Sequence, residues 1–409
     1  MNLKLAIDGG NPVRTTPWPP WPHFEKDEID AVCTVLRSGN VNYWTGDYVQ
    51  AFEKKFAEFL GAKYAIALAN GSVALELGLT ILGIGYGDEV IVPNRTFIAS
   101  ASCCVMRGAV PVFADIDPNS QDITADSIRK LITTKTKAII CVHLVGWACE
   151  MDEILALAKE NKLYVIEDCA QCLGGKYKGR MLGTIGDIGT FSFCQDKIMT
   201  TGGEGGMLVT NNEEWYRKGW SYKDHGKDFD FYIKGMETES YYPSLGTNWR
   251  MTAMQAAIGN IVLNKIPGWL KKRRRFAQML DDGLKDISGI RLTLPPEHIE
   301  HAYYKYHVFI KPEELKEDWD RGRIMKTIVA EGVPCQFGIT WGIGEEMGWE
   351  NTQLVGTREV RDLRLKEHLP TDFELGKTSL MFQVHPTLDD KAIKDTIEAV
   401  KKVMAVAVW

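Results

Sequence analysis

"LYVIEDCAQ", Leu163–Gln171, decides the fold. An apolar and aromatic run ends in two acids, and small residues follow. An uninterrupted run of this kind reads as a strand covered on both faces, and the acids mark where the chain leaves the sheet. The runs on either side repeat the pattern: "YAIAL", "EVIVP", "VPVFAD", "KAIICVHL", "IGTFSF" and "GMLVT", spread from Tyr64 to about Thr210. Helical periodicity falls between them, at Val73–Leu82, Ala125–Ile132 and Met151–Glu160. This alternation predicts an α/β domain with a mostly parallel central sheet. The carboxyl ends of its strands converge on a crevice where ligands bind.

Beyond about Asn248 the pattern changes. A long helical stretch, Met251 to about Leu284, precedes the strand-like "YYKYHVFI" and a helix near Arg321–Glu331. A Gly/Trp/Glu-rich segment (340–350) and an amphipathic helix, Asp390–Val406, close the chain. The expected organisation is an arm over residues 1–22, a large α/β domain over 23–255 and a smaller α+β domain over 256–409. The boundary falls within the long helix. The start, "MNLKLAIDGGNPVRTTPWPPWPHF", turns proline-rich at once and lacks a signal-peptide apolar region, so it reads as the arm.

The 409 residues are 45% hydrophobic and 25% charged with a formal net charge of −6, ordinary for a globular protein. The apolar runs are too short to span a membrane. "KKRRR", Lys271–Arg275, reads as a solvated helix face rather than a nucleic-acid site. Nine cysteines without regular spacing argue for a reducing compartment, taken as cytoplasmic. Cys169 and Cys172 form a C-x-x-C without a second such pair; small buried residues are expected there, and no metal.

Within the α/β region several residues suit a carbonyl cofactor such as pyridoxal phosphate (PLP). Such a cofactor needs a lysine for a Schiff base, a carboxylate facing its ring nitrogen, a flat apolar partner, and N–H and hydroxyl groups for its phosphate. Asp168 sits where a strand ends; it reads equally as a helix N-cap. Gln171 could reach a ring hydroxyl or be solvated. Gly71-Ser72 in "ANGSVALELGL" opens a helix after a strand, either an anion site or an ordinary capped helix. Ser192, between Phe191 and Phe193, could add a hydroxyl or sit in the core. Phe97, just past "EVIVP", could stack on a ring or be a core residue. Lys197 follows "GTFSF" and precedes the glycine-rich "GGEGG", which is no P-loop because no G-K-[ST] follows.

Taken in order, "ANGSVALELGL", "GIGYGDEVIVPNRTFIASA", "GAVPVFADID", "TKAIICVHLVG", "VIEDCAQCLGGKYKGRMLGTIGDIGTFSF", "KIMTTGGEGGMLVTNN" and "GTNWRMTAMQAAIG" resemble the DegT/DnrJ/EryC1/StrS family. These are PLP-dependent sugar aminotransferases of the aspartate aminotransferase-like fold (fold type I), and the likeness covers nearly the whole chain from about Pro17. The resemblance implies that Lys197 forms the Schiff base and moves the proton. It implies that Asp168 pairs with the ring nitrogen, that Gln171 contacts the ring hydroxyl and that Phe97 stacks. Gly71, Ser72 and Ser192 match phosphate contacts. Asn248 resembles an asparagine that reaches the phosphate of the neighbouring subunit, which implies a homodimer with shared active sites. Lys197 sets the chain apart from the branch whose histidine makes a sugar 3-dehydratase. Cys169 and Cys172 stand where alanine is commoner, the spacing from Lys197 to Glu204 is one residue longer than the commonest form, and "TWGIGEEMGWENTQ" matches less well.

The expected reaction moves an amino group from glutamate or glutamine to a keto-sugar, foremost a nucleotide-linked keto-hexose. The start resembles members that aminate keto-cyclitols of the scyllo-inosose type or that make aminohydroxybenzoate, so these stand as the alternative. Tyr43, Trp44, Lys223 and His225 are candidates at the pocket rim, with His225 equally a loop histidine; His307 and His385 read as structural. A nicotinamide-dependent oxidoreductase would need G-x-G-x-x-G, which "ANGSVAL" lacks. An idle PLP-binding regulator is disfavoured because no DNA-binding appendage is visible.

Overall fold

A computed structural model describes residues 4–233, 241–340, 342–345 and 369–409. The seven apolar runs form one sheet. Its strands are β1 (Tyr64–Leu68), β2 (Glu89–Pro93), β3 (Val110–Ala114), β4 (Thr136–Val142), β5 (Tyr164–Asp168), β6 (Ile188–Ser192) and β7 (Gly206–Thr210). Their order is β1-β7-β6-β5-β4-β2-β3. β7 runs antiparallel to both its neighbours and the remaining pairs are parallel. Nearly every residue of these strands is buried, as a sheet with both faces covered requires.

The helices that cover the sheet include α2 (Tyr48–Leu60), α3 (Gly71–Ile81) and α4 (Ala99–Met106), while α1 (Lys26–Ser38) packs on the long helix that begins at Ala253. A capping box made by Thr252 and Gln255 starts that helix, α5 (Ala253–Leu284). At 32 residues it is about 48 Å long, and it serves two cores. Ala256, Val262, Ile266 and Leu270 pack with the large sheet, whereas Phe276, Ala277, Leu280 and Leu284 pack with a second core. The handover therefore comes between Leu270 and Phe276, some way past residue 256.

The second core covers an antiparallel sheet of β8 (Ile290–Arg291), β9 (Tyr306–Ile310), β10 (Cys335–Phe337) and β11 (Ser379–Phe382), in the order β8-β9-β11-β10. Helices α6 (Arg321–Ala330) and α8 (Asp390–Ala407) lie against it, and α7 (Pro370–Thr378) leads into β11. The arm packs on this second body. Leu5 is buried in its core, Val13 and Trp18 lie against it, Arg14 pairs with Asp395 at 2.8 Å, and Glu331 accepts the N–H groups of Ala6 and Val13. The "KKRRR" run is solvated only in part: Lys271, Lys272 and Arg275 are exposed, Arg274 is half-buried and Arg273 is buried. Lys272, Arg273 and Arg274 donate to the carbonyls of Pro386, Tyr303 and His301, and Arg275 pairs with Asp390. The segment 340–350 lies largely outside the described residues, as does most of "TWGIGEEMGWENTQ". Among the described residues, no helix is long and apolar enough to cross a membrane.

The two bodies are joined by a buried ion pair. Arg95, just past β2, is fully buried; it donates to Asp372 Oδ1 at 3.1 Å, Gln121 Oε1 at 2.9 Å and Ser379 Oγ at 2.9 Å. Breaking a buried pair from one side leaves an uncompensated charge, which typically costs roughly 3–5 kcal/mol. Asp372→Asn should therefore lower the urea midpoint by about that stability. Arg95→Met combined with Asp372→Leu should recover most of the loss, and an unshifted midpoint in the single variant would show that the pair carries no such constraint.

Candidate active site

A cavity of about 750 Å³ opens between the two bodies, at the carboxyl ends of β4, β5 and β6. It gathers Gly71, Ser72, Phe97, Asp168, Gln171, Ser192 and Lys197 in one space. These residues come from separate turns of the large body, brought together because each follows a strand of one sheet.

Asp168 ends β5. Its Oδ2 accepts from Ser100 Oγ at 2.9 Å and its Oδ1 from the Ala170 N–H at 3.1 Å. The segment that follows is a turn rather than a helix, so the carboxylate is not an N-cap. Burial raises its pKa above the usual aspartate range, and the Ala170 N–H, the Ser100 hydroxyl and the Lys197 charge offset this only in part. Its neighbour Glu167 has the opposite balance. It accepts from His143 Nε2 at 2.9 Å and from the N–H groups of Gly183, Ile185 and Gly186. Burial pushes Glu167 up, but these donors more than offset it and leave its pKa below the usual range. Successive strand residues face opposite ways, so one acid is used up in the scaffold and the other is left for the cavity.

The floor follows the same logic. Phe191 and Phe193 are buried in the large core, while Ser192 between them lines the cavity and accepts from the Cys194 N–H at 3.3 Å. Asn70 caps α3 by accepting from the Val73 N–H at 3.0 Å. The Gly71 and Ser72 N–H groups, first in the helix, have no intrahelical acceptor and sit at its positive end. A Cβ at Gly71 would come within 2.7 Å of Ser192 Cβ, so glycine is what lets the helix start approach Ser192. Phe97 is 66% exposed on the cavity side of α4, which rules out the core placement. Gln171 Oε1 accepts from the Val145 N–H at 2.8 Å, fixing the side chain at the cavity edge.

Lys197 has a side chain 16% exposed, with Nζ 3.9 Å from Asp196 Oδ1 and 4.7 Å from the centre of the Tyr304 ring. Its carbonyl accepts from Trp21 Nε1 at 3.1 Å, so the arm braces the lysine's backbone. Tyr304, Lys305, His307, Gln336 and Met381 complete the opposite wall. His307, expected to be structural, is among them. In "YYKYHVFI" the polar Lys305 and His307 alternate with Tyr306 and Val308, a signal for a second face, although Phe309 on that same face is buried against Ile116 and Leu375.

The remaining candidates lie elsewhere. Tyr43, Trp44, Lys223 and His225 do not line this cavity. Tyr43 and Lys223 are buried rather than at a rim, because the Lys223 ammonium rests 3.5 Å over the Tyr43 ring, facing the buried Glu53. Burial pulls the Lys223 pKa down to about 8. Trp44 is half-buried under the Lys227 ammonium, 4.0 Å from its ring. His225 and Asn248 are exposed, in two segments that the His225 N–H bond to the Thr247 carbonyl ties together. Cys169 and Cys172 are buried free thiols, and burial raises both pKa values. His385 bridges Gln383 and Thr387 and stacks on Trp21, away from the cavity.

A lysine, a buried acid, an exposed ring, a serine hydroxyl and a helix start make a donor set that fits a phosphate-bearing pyridine aldehyde. Comparisons with known proteins identify the family. The family described as the DegT/DnrJ/EryC1/StrS aminotransferase family matches residues 22–400. GDP-perosamine synthase of Escherichia coli O157:H7 is 40% identical over 67% of this chain and 72% of its own length. A Micromonospora echinospora protein named putative L-glutamine:3-amino-2,3-dideoxy-scyllo-inosose aminotransferase is 37% identical over 81% of this chain and 79% of its own. The X-ray structure of the aminotransferase from Psychrobacter cryohalolentis superposes with a TM-score of 0.88, at 47% identity, over 95% of this chain and 99% of that one.

Asp168 gives a stability test without the cofactor. Its folded pKa is raised above the unfolded value of about 3.9. Below the unfolded value the carboxyl is neutral in both states. As pH rises through the folded value, the folded state must give up a proton it favours, and stability falls. Cofactor-free Asp168→Asn should then melt above cofactor-free wild type at pH 7, with the gap closing towards pH 4. A wild type that melts higher at pH 7 would mean that its partners outweigh burial.

Proposed function

The chain belongs to the DegT/DnrJ/EryC1/StrS aminotransferase family, and from that premise we propose that it transfers an amino group from glutamate or glutamine to a nucleotide-linked keto-hexose with pyridoxal 5'-phosphate. One observation carries the reading: a single cavity gathers Lys197, Asp168 and the helix start at Gly71. Bound there, the cofactor supplies an electron sink for breaking the donor's Cα–H bond. Lys197 Nζ would hold its aldehyde carbon and later carry the proton. The Asp168 carboxylate would face the ring nitrogen, and a cation there reverses the pKa preference that burial imposes. Ser192 Oγ and the Gly71 and Ser72 N–H groups would take the phosphate. Phe97 would cover one ring face and Gln171 would reach the ring hydroxyl.

The acceptor class rests on the relatives' names. The Micromonospora relative, named for a scyllo-inosose derivative, aligns over more of the chain than the perosamine synthase does. A keto-cyclitol acceptor is therefore the second reading. A homodimer is part of the proposal: Asn248 is exposed outside its own chain's cavity, as a residue serving a neighbour's phosphate would be.

Wild type incubated with PLP should turn yellow, and borohydride should leave the adduct on Lys197. Lys197→Ala should lose the adduct and all transfer while keeping its melting temperature within a few degrees; substantial turnover would refute the lysine's role. Glutamate followed by a panel of nucleotide-linked 4-keto and 3-keto sugars beside scyllo-inosose then separates the acceptors by which one restores the starting absorbance. Co-expressed Lys197→Ala and Asn248→Ala chains should recover activity that neither shows alone. Failure to do so would confine Asn248 to its own subunit.

A further inference from the structure

The cavity wall from the second body carries a surplus of positive charge. Lys305 precedes β9, and alternation along that strand puts Lys305 and His307 on one face. Both line the cavity, while Tyr306, Val308 and Ile310 pack into the second core. Lys305 Nζ lies 4.9 Å from the centre of the Tyr304 ring and 4.0 Å from Asp196 Oδ2; Lys197 holds the other oxygen of the same carboxylate at 3.9 Å. Asp196 also accepts from the Tyr304 hydroxyl. One carboxylate therefore serves two ammonium groups and a phenol.

Behind this wall lies a third cation. Arg273 is buried and donates through Nη1 to the carbonyls of Tyr303 and Tyr304, at 3.1 and 3.2 Å. Among the described residues no carboxylate lies within ion-pair distance of it. Burial first, then the Arg273 and Lys197 charges, hold the Lys305 pKa below the usual lysine range. His307 contributes a neutral donor. His307 Nδ1 lies 3.2 Å from Gln121 Nε2 and 3.4 Å from Gln121 Oε1. Oε1 also takes the Arg95 Nε–H, so the shorter contact is read with Nε2 as the donor, an assignment that puts the imidazole proton on Nε2. Burial beside Arg95 and Lys305 pushes the ring pKa down to about 3.

We propose that Lys305, with His307 beside it, receives the α-carboxylate of the amino-acid donor. This rests on the aminotransferase reading above. The donor's nitrogen must reach the carbon that Lys197 holds, and its α-carboxylate is attached one carbon further on. A cation tied to Lys197 through a shared carboxylate and a shared ring is at that reach. A sugar-linked diphosphate sits beyond a whole hexose ring, and the helix start at Gly71 belongs to the opposite wall. An ammonium and a neutral N–H together give a carboxylate two donors, one of them charge-assisted.

The test uses PLP-loaded enzyme and 2-methylglutamate, which lacks the α-hydrogen and so binds without turnover. Its dissociation constant is read from the change in cofactor absorbance. Lys305→Gln should weaken it roughly 10- to 100-fold, the range for losing a hydrogen bond to a charged group. Lys305→Arg should restore much of the affinity. PLP uptake and the KM for the keto-sugar should stay within about twofold in both variants, and the melting temperature within a few degrees. Unchanged affinity for 2-methylglutamate in Lys305→Gln would overturn the proposal. So would a loss confined to the nucleotide-linked acceptor, which would assign Lys305 to the diphosphate. A wild type that takes up no PLP would instead sink the parent reading, and the wild-type arm distinguishes that result.

Discussion

A guanidinium with no water around it holds the two bodies in register. Arg95 is taken fully out of solvent, and removing an ion from water carries a penalty of several kcal/mol after relaxation. That penalty is offset only when every partner is in place. The partners come from three places: Gln121 from the loop after β3, Asp372 from α7 and Ser379 from β11. Asn94 next to it donates to Asp372 and accepts from the Gly344 N–H, and Asp115 accepts the N–H groups of Thr371 and Asp372 at the start of α7. A shift of the second body would strand several of these buried groups at once. The cavity between the bodies inherits its shape from that constraint, and through Gln121 the same arginine is linked to the ring of His307.

The strand end at Glu167-Asp168 shows how one sheet makes both a scaffold and a reagent. The two acids are adjacent in sequence and equally removed from water, yet their proton affinities move in opposite directions. Glu167 faces a turn whose N–H groups and His143 satisfy it completely. Asp168 faces the cavity with one hydroxyl and one N–H, fewer donors than a buried carboxylate needs. Burial therefore dominates its proton affinity. Under the proposed function, a cationic ring nitrogen facing Asp168 would supply the missing partner and favour the carboxylate form.

How much was legible in the sequence depended on the range of the information. The seven apolar runs became the seven strands because a strand covered on both faces needs continuous apolar residues, a local property. Gly71, Ser72, Phe97, Asp168, Gln171, Ser192 and Lys197 came together because strand ends converge in such a sheet. What failed was non-local. "KKRRR" looks solvated throughout until Arg273 and Arg274 are drawn in under the carbonyls of Tyr303, Tyr304 and His301, while Lys271, Lys272 and Arg275 stay exposed. Lys223 looks exposed until Tyr43, 180 residues earlier in the chain, supplies an aromatic face. Periodicity names the face of an element but not the body that will cover it, and a lysine or arginine is long enough to cross that uncertainty.

Strand β9 carries the last step of the synthesis. Its two faces do different work: Tyr306, Val308 and Ile310 hold the second core, while on the other face Lys305 and His307 line the cavity and Phe309 is buried against Ile116 and Leu375. A period of two keeps the second core apart from the cavity positions. A change at 305 or 307 alters what the cavity accepts without opening a void in the core, and a change at 306 or 308 does the reverse. The large body differs, because Asp168 and Ser192 lie in the sheet whose burial makes the fold, so cofactor chemistry is tied to stability there. Under the proposed function, the substrate-facing positions of the second body can be altered apart from that stability. One scaffold can thus keep a fixed reagent on one wall while presenting a different surface on the other.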